Sequence, residues 1–378
     1  MPWKLPRDLD TPTLVIDLDV LEANVAAMAT DLNQHGLALR PHAKTHKSIE
    51  VARRQRDAGA VGLTVATVGE AEVFAAAGFD DLFIAYPLVA LGPKAKRLRT
   101  LAEHVRLRVG VDSPETAAML GHAARGAPGI EVLIELDSGQ HRSGVTPPDA
   151  AEVAAACRKA GLRVVGVFTF PGHAYAGPGS AACAAEDEAR VLSEGEGALR
   201  AAGFDVEVRS GGSTPTARHA STSRGPAGAL ADATAVVDEQ RPGVYVFNDR
   251  VQVALGRCRP EDVALVVAAT VVSAVGPGRF VVDAGTKALS PERFDYLEGF
   301  GSLTDRLGSG DEDGATIARL AEHHGIVESP AYRPVLGEVV ALVPNHVCPV
   351  VDHFDSYVVT RNGRVVDRWP VDARGRLT

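Results

Sequence analysis

GLTVATVGEAEVFAAAGFDDLFIAYP, residues 62–87, reads as a strand, a helix and a second strand. Leu63 and Val65 lie in a short β-forming run. Ala71, Phe74 and Ala75 then recur at helical spacing, and Gly78 ends the helix before the apolar run from Asp81 to Tyr86. A strand, a helix and a strand of this length suit the crossover connection that parallel strands require. The unit repeats on both sides. Strand-like runs start at Thr13, Leu37, Gly62, Asp81, Val105, Ile130, Leu162 and Asp205, with alanine-rich helical stretches between them. Eight strand–helix units in a row predict a parallel (β/α)8 TIM barrel, in preference to a doubly wound open sheet.

The texture changes after Tyr245. VALVVAATVVSAV, RFVVDAG, EVVALVP and SYVVTRNGRVV are strand-like and separated by Gly, Pro and Asn, and RNGR at 361–364 has the form of a hairpin turn. The expected organisation is an α/β barrel over residues 13–244 followed by a β-rich domain over 245–378, which residues 1–12 join. Of the 378 residues, 46% are hydrophobic and 23% charged, enough for a packed core without cross-links. A net charge of −9 argues against a nucleic-acid or anionic-membrane partner. No apolar run approaches the roughly 20 residues that span a bilayer. With no secretory signal and only four scattered cysteines, a cytoplasmic protein with reduced thiols is expected.

Functional groups of such a barrel gather where strands end. Arg40-Pro-His42-Ala-Lys44-Thr-His46-Lys47 follows the second run and is dense in cations, which lowers a lysine pKa and frees an amine for attack on a carbonyl. A solvent-facing basic loop is the alternative. Ser210-Gly211-Gly212-Ser213-Thr214 follows the eighth run, and its glycines and hydroxyls suit a phosphate. Glu135 to Gly144 ends the sixth run, where Arg142 is a candidate for a ring nitrogen or a carboxylate, unless it pairs with Asp137. His173 and Tyr175 end the seventh and suit a planar ring. In the β domain, His346 and Cys348 lie two apart, so on an extended segment they face one ion; an imidazole and a thiolate favour zinc. Asp352 and Asp355 lie just downstream as further ligands or supports, and the acidic run Gly310–Gly314 reads as a turn.

Four stretches together, RPHAKTHK at 40–47, SGGSTPT at 210–216, DAGTKALS at 283–290 and PNHVCP at 344–349, resemble the D-serine dehydratase and D-threonine aldolase family of alanine-racemase-like (fold-type III) pyridoxal-phosphate enzymes. The resemblance covers nearly the whole chain. It implies a homodimer, Lys44 as the lysine that carries pyridoxal 5'-phosphate, and a phosphate in the Gly-Gly-Ser-Thr loop. His42, Arg142, His173, Tyr175 and Ser210 are then candidates for the rest of the cofactor site. It also implies a divalent metal, zinc in the first place and Mn2+ or Mg2+ otherwise, at His346 and Cys348. Cys348 is similar to the dehydratase branch, since aldolases of the family tend to carry an aspartate there. The stretch SGQHRSG at 138–144 also differs from an aldolase-like GQGRCG. The expected reaction is therefore elimination from a D-3-hydroxy amino acid, giving a keto acid and ammonia, with Lys44 as base and the metal assisting departure of the hydroxyl. Retro-aldol cleavage to glycine and an aldehyde is the alternative. A racemase has no use for the metal, and a carrier of the cofactor has no use for the second domain.

Overall fold

The computed structural model describes residues 3–127, 129–222, 237–304 and 315–378. The acidic run Gly310–Gly314 lies outside them. The chain divides into two compact units, one of residues 28–44, 51–243 and 375–378, the other of residues 1–27, 45–50 and 244–374.

The first strand, β1 (Thr13–Asp17), is followed by helix α1 (Leu18–Gln34) and β2 (Ala38–Leu39). Regular alternation then sets in: α2 (Ile49–Asp57), β3 (Leu63–Val65), α3 (Val68–Ala76), β4 (Asp81–Pro87), α4 (Gly92–Ala102) and β5 (Arg106–Val111). It continues with α5 (Pro114–Ala123), β6 (Glu131–Leu136), α6 (Ala150–Lys159), β7 (Arg163–Thr169), α7 (Ser180–Ala201), β8 (Val208–Gly211), α8 (Thr214–Thr222) and β9 (Glu239–Gln240). Thr67 caps α3 and Ser113 caps α5, each accepting a backbone N–H from three residues on.

Strands β2 to β9 form one parallel sheet in the order β2-β9-β8-β7-β6-β5-β4-β3. The sheet curls until its ends meet: Val61 N–H donates to Leu39 O, Thr64 N–H donates to Pro41 O, and His42 bridges Thr64. The barrel is thus the one the alternation predicts, with a different membership. The run at Thr13 pairs with strands of the other unit, and the eighth barrel strand is the two-residue β9. Periodicity marks a buried strand but carries no label for its sheet, and Glu239–Gln240 has no apolar signal at all.

Phe83, Leu133, Val165 and Phe168 pack as a cluster of the barrel, and the Phe83 and Phe168 rings meet edge to face at 5.1 Å between centroids. Replacing the fully buried Phe83 with Ala should cost about 3–5 kcal/mol, because neither neighbouring strand can move in to fill the space. Denaturant unfolding of Phe83→Ala beside the parent checks this.

The second unit is antiparallel except at one pairing. It comprises β1 with helix α9 (Arg250–Ala254), β10 (Leu265–Ser273), β11 (Arg279–Val282), β12 (Gly301–Leu303), β13 (Thr316–Leu320) and β14 (Gly325–Glu328). β15 (Val339–Pro344), helix α10 (Val347–Val351), β16 (Ser356–Arg361) and β17 (Arg364–Pro370) complete it. β10, β11, β14, β13, β12 and β15 pair in a closed ring, from which β1, β16 and β17 extend. β1 lies between β10, antiparallel, and β16, parallel. Its Leu14, Val15 and Ile16 are wholly buried. Asn362 and Gly363 both take positive φ in the β16–β17 turn, as the RNGR motif anticipates.

Candidate active site

In the barrel unit, Arg40 faces inward and is fully committed. Its Nε lies 2.8 Å from Glu239 Oε2 and its Nη1 2.6 Å from Asp81 Oδ1. Burial opposes its charge, but the two carboxylates outweigh that and raise its pKa above the ordinary value. His42 is part of the barrel closure, its N–H donating to Pro242 O. Lys44 follows in a short 3-10 turn, Ala43–Thr45, with its N–H 3.4 Å from His42 Nδ1. Its Nζ lies 5.7 Å from the centre of the Phe170 ring, and the Arg142 guanidinium lies 5.0 Å from the same ring. Lysine, arginine and aromatic face therefore gather beyond β7 at the end of the barrel where active sites form. The solvent-loop alternative fails: Ala43, Thr45, His46, Lys47 and Ser48 are buried.

Arg142 does not pair with Asp137. Asp137 instead organises its own turn, accepting N–H groups of Gly139 and His141 and holding His141 Nδ1 at 2.7 Å. The carboxylate that senses Arg142 is Glu135, on β6. It is 2% exposed, takes the Ser143 hydroxyl on Oε1 at 2.9 Å, and leaves Oε2 without a hydrogen-bond partner. Burial drives its pKa from 4.5 up to about 7, against the pull of Ser143 and Arg142. A raised carboxyl pKa weakens the fold increasingly as pH climbs from the ordinary value to the raised one, and fully above it. Glu135→Gln should accordingly raise Tm at pH 8.5 and leave it nearly unchanged at pH 4.5, which thermal unfolding at the two pH values checks.

His173, a ring candidate, has its Nε2 3.3 Å from Asp187 Oδ2 of α7 and its ring against Gly139. Tyr175 is half-buried at the end of the same turn. Ser210 is fully buried and points into the barrel, where its hydroxyl donates to Glu239 Oε1 at 2.7 Å and accepts from Arg241. Arg241 lies against Phe83 and Phe168 with its centre 5.6 and 5.3 Å from their rings, and burial lowers its pKa to about 10 despite nearby Glu239, Glu188 and Glu135.

The loop after β8 fits a phosphate. Gly212 has φ +98, and a Cβ there would lie 2.9 Å from Arg241 N, so only glycine permits this approach. Ser213 and Thr214 lead directly into α8, whose first turn supplies the positive end of a helix dipole. The side chain of Gln240 lies against Gly212 with its Oε1 buried and unpartnered.

In the other unit, His346 stands at the N-cap of α10 and Cys348 in its first turn, so helix geometry, not an extended segment, presents them. Pro349 suits that turn, where its missing N–H leaves no intrahelical bond unmade. The two side chains are hydrogen-bonded to each other. Behind them lies Asp249, wholly buried, whose Oδ2 is 2.9 Å from His346 Nδ1 and 3.1 Å from Val347 N. Its Oδ1 caps α9 at Gln252 N. A carboxylate on Nδ1 fixes the tautomer that turns Nε2 outward as a ligand. Asp249 is the supporting residue that sequence reading missed. Asp352 and Asp355 have other partners, Lys47 and Arg374. Burial opposes a proton on His346, yet Cys348 and Asp249 raise its pKa well above the ordinary value, and the same negative surroundings suit a dication. The Thr45 hydroxyl, on the residue after Lys44 in the chain, lies 3.2 Å from Cys348 Sγ. Among the described residues no group of three or more His, Cys, Asp or Glu is placed to hold a metal. The donor chemistry of the pair, an imidazole beside a thiol with a buried carboxylate behind it, suits a divalent metal.

Known proteins resemble this chain over nearly its whole length. Residues 16–251 match the family model of the alanine racemase N-terminal domain, and residues 264–360 match a serine dehydratase domain. D-threo-3-hydroxyaspartate dehydratase of Delftia sp. (strain HT23) is 37% identical, over 96% of this chain and 97% of its own. D-threonine aldolase of Arthrobacter sp is 35% identical, over 97% and 93%. Among solved structures, D-threonine aldolase from Filomicrobium marinum superposes with a TM-score of 0.84 at 31% identity, covering all of both chains. A cysteine-to-alanine mutant of D-threo-3-hydroxyaspartate dehydratase in the metal-free form gives 0.84 at 35% identity, covering 96% of this chain and 97% of that one. The chain belongs to the D-serine dehydratase and D-threonine aldolase family of alanine-racemase-like enzymes, and is a pyridoxal-phosphate-dependent lyase of D-amino acids.

Proposed function

We propose that this lyase removes water from a D-3-hydroxy amino acid, giving a keto acid and ammonia, with Lys44 holding the cofactor and a divalent metal, zinc in the first place, at His346 and Cys348. The carrying observation is the His346–Cys348 pair backed by buried Asp249, a donor set that would assist departure of a hydroxyl and that racemisation does not use. Bound pyridoxal phosphate supplies an electron sink for the pair left at Cα, and the metal supplies a Lewis acid. The chain's own residues do the remainder. Gly211–Thr214 would hold the phosphate, the Phe170 ring and Arg142 flank the site, and Lys44 is the base for the Cα proton. Asp249 keeps His346 Nε2 turned to the metal.

Retro-aldol cleavage is the second reading, favoured by the 35% identity to a D-threonine aldolase along nearly all of the chain. The test is to incubate the zinc-supplied protein with D-serine, D-threonine and D-threo-3-hydroxyaspartate, with a chelator-treated control. Keto acid that disappears with the chelator establishes the dehydratase; glycine with an aldehyde establishes the aldolase.

A further inference from the structure

Beneath the Gly211–Gly212 loop lies a carboxyl group that the reaction does not use. Glu188, on α7, is 1% exposed. Its Oε1 takes the Gln240 Nε2 donor at 2.9 Å, and its Oε2 takes the Thr216 hydroxyl at 3.2 Å. Thr216 in turn accepts the Ser213 N–H at 3.0 Å, and Gly212 N–H also donates to Glu188. The carboxyl is pressed against the loop: a Cβ on Gly211 would lie 2.1 Å from Glu188 Oε1. The charged group facing it is Arg241, which follows β9 and is shared with Glu239 and Glu135; among the described residues of the loop and α8, Gly212 N–H and the Thr216 hydroxyl donate to Glu188.

One atom is out of place in this network. Gln240 is wholly buried, yet its Oε1 has no partner and lies 2.1 Å from where a Gly212 Cβ would be, so an acceptor faces a loop fitted to an anion. Turning the amide end for end would put Oε1 opposite the Glu188 carboxyl and a donor NH2 toward the loop. That arrangement needs a proton on Glu188 to fill the new O–H···O bond.

Resting on the loop's assignment to the cofactor phosphate, we propose that Glu188 and Gln240 form a proton-linked support of that site. When a phosphate dianion binds, Glu188 takes up one proton from solvent and donates it to Gln240 Oε1, and the Gln240 NH2 turns toward Gly212. Burial already raises Glu188 to about 7, and a dianion above it pushes in the same direction. Affinity should therefore fall as pH rises above 7, by up to about tenfold per pH unit for one linked proton.

The probe is pyridoxine 5'-phosphate, which has no aldehyde for Lys44, titrated into the full-length chain freed of cofactor at pH 7.0 to 8.5, where the phosphate is already largely dianionic. The parent should bind more weakly with each step of pH, and calorimetry in two buffers of different ionisation enthalpy should show proton uptake. Glu188→Gln should bind with a flatter profile and reduced uptake. Equal slopes in the two proteins, or no uptake by the parent, overturns the proposal while leaving the phosphate loop in place. Absence of binding at every pH overturns the loop assignment and the proposal with it. Proton uptake by the parent needs no variant, so misfolding of Glu188→Gln leaves the test intact.

Discussion

Lys44→Ala is expected to lower turnover of every accepted D-amino acid by at least about 10^4-fold, because in the proposed reaction one side chain both anchors the cofactor and takes the Cα proton. The visible absorbance of the lysine-linked cofactor should vanish while the chain remains folded, since the half-buried Lys44 side chain contributes little packing. Cofactor supplied in solution should still reach the Gly211–Thr214 loop. Added methylamine, a small base, should restore part of the rate if proton transfer is the main deficit, and none if loss of anchoring dominates. Retention of the lysine-linked spectrum in Lys44→Ala would move the role to another lysine.

Cys348→Ala carries the second largest effect. Loss of a thiolate ligand should lower turnover on the order of 10^3-fold, the several kcal/mol that Lewis-acid assistance contributes. The cofactor spectrum should persist, because neither Cys348 nor His346 belongs to the loop or the lysine turn. Asp249→Asn is the graded companion. It keeps the shape behind His346 but removes the charge on Nδ1, so metal affinity should fall by about 10- to 100-fold and turnover should recover in excess zinc. Measured metal content and rate against zinc concentration separate the two variants. If Cys348→Ala retains full activity after chelation, the metal has no part in the reaction.

Much of this was legible in the residues, in proportion to how local each signal is. The strand–helix–strand unit at 62–87 is written in consecutive residues, and the structure repeats it. The loops at Lys44 and Gly211 announce themselves through charge and glycine beside a strand end. Long-range facts are different. Nothing near Thr13 tells that β1 pairs with β10 and β16, more than 240 residues away. β9 is invisible to hydrophobic patterning because Glu239 and Gln240 are buried by partners, Arg40 and Glu188 among them, that only the closed barrel supplies. Asp249 looks like any helix cap, and its second oxygen meets His346 across 97 residues of chain. Glu135 was visible as part of a polar cluster; its lone, unpartnered oxygen was not.

The central place of β1 bears on how the protein comes off the ribosome. Residues 13–17 are translated well before the strands that flank them, 265–273 and 356–361. The barrel residues 51–243 are all available during that interval and can close on local, sequential pairings. Leu14, Val15 and Ile16 meanwhile wait as an uncovered apolar strand. A nascent chain stalled between about residue 244 and residue 356 would therefore carry a finished barrel with an adhesive leader, the state in which a chaperone has most to shield.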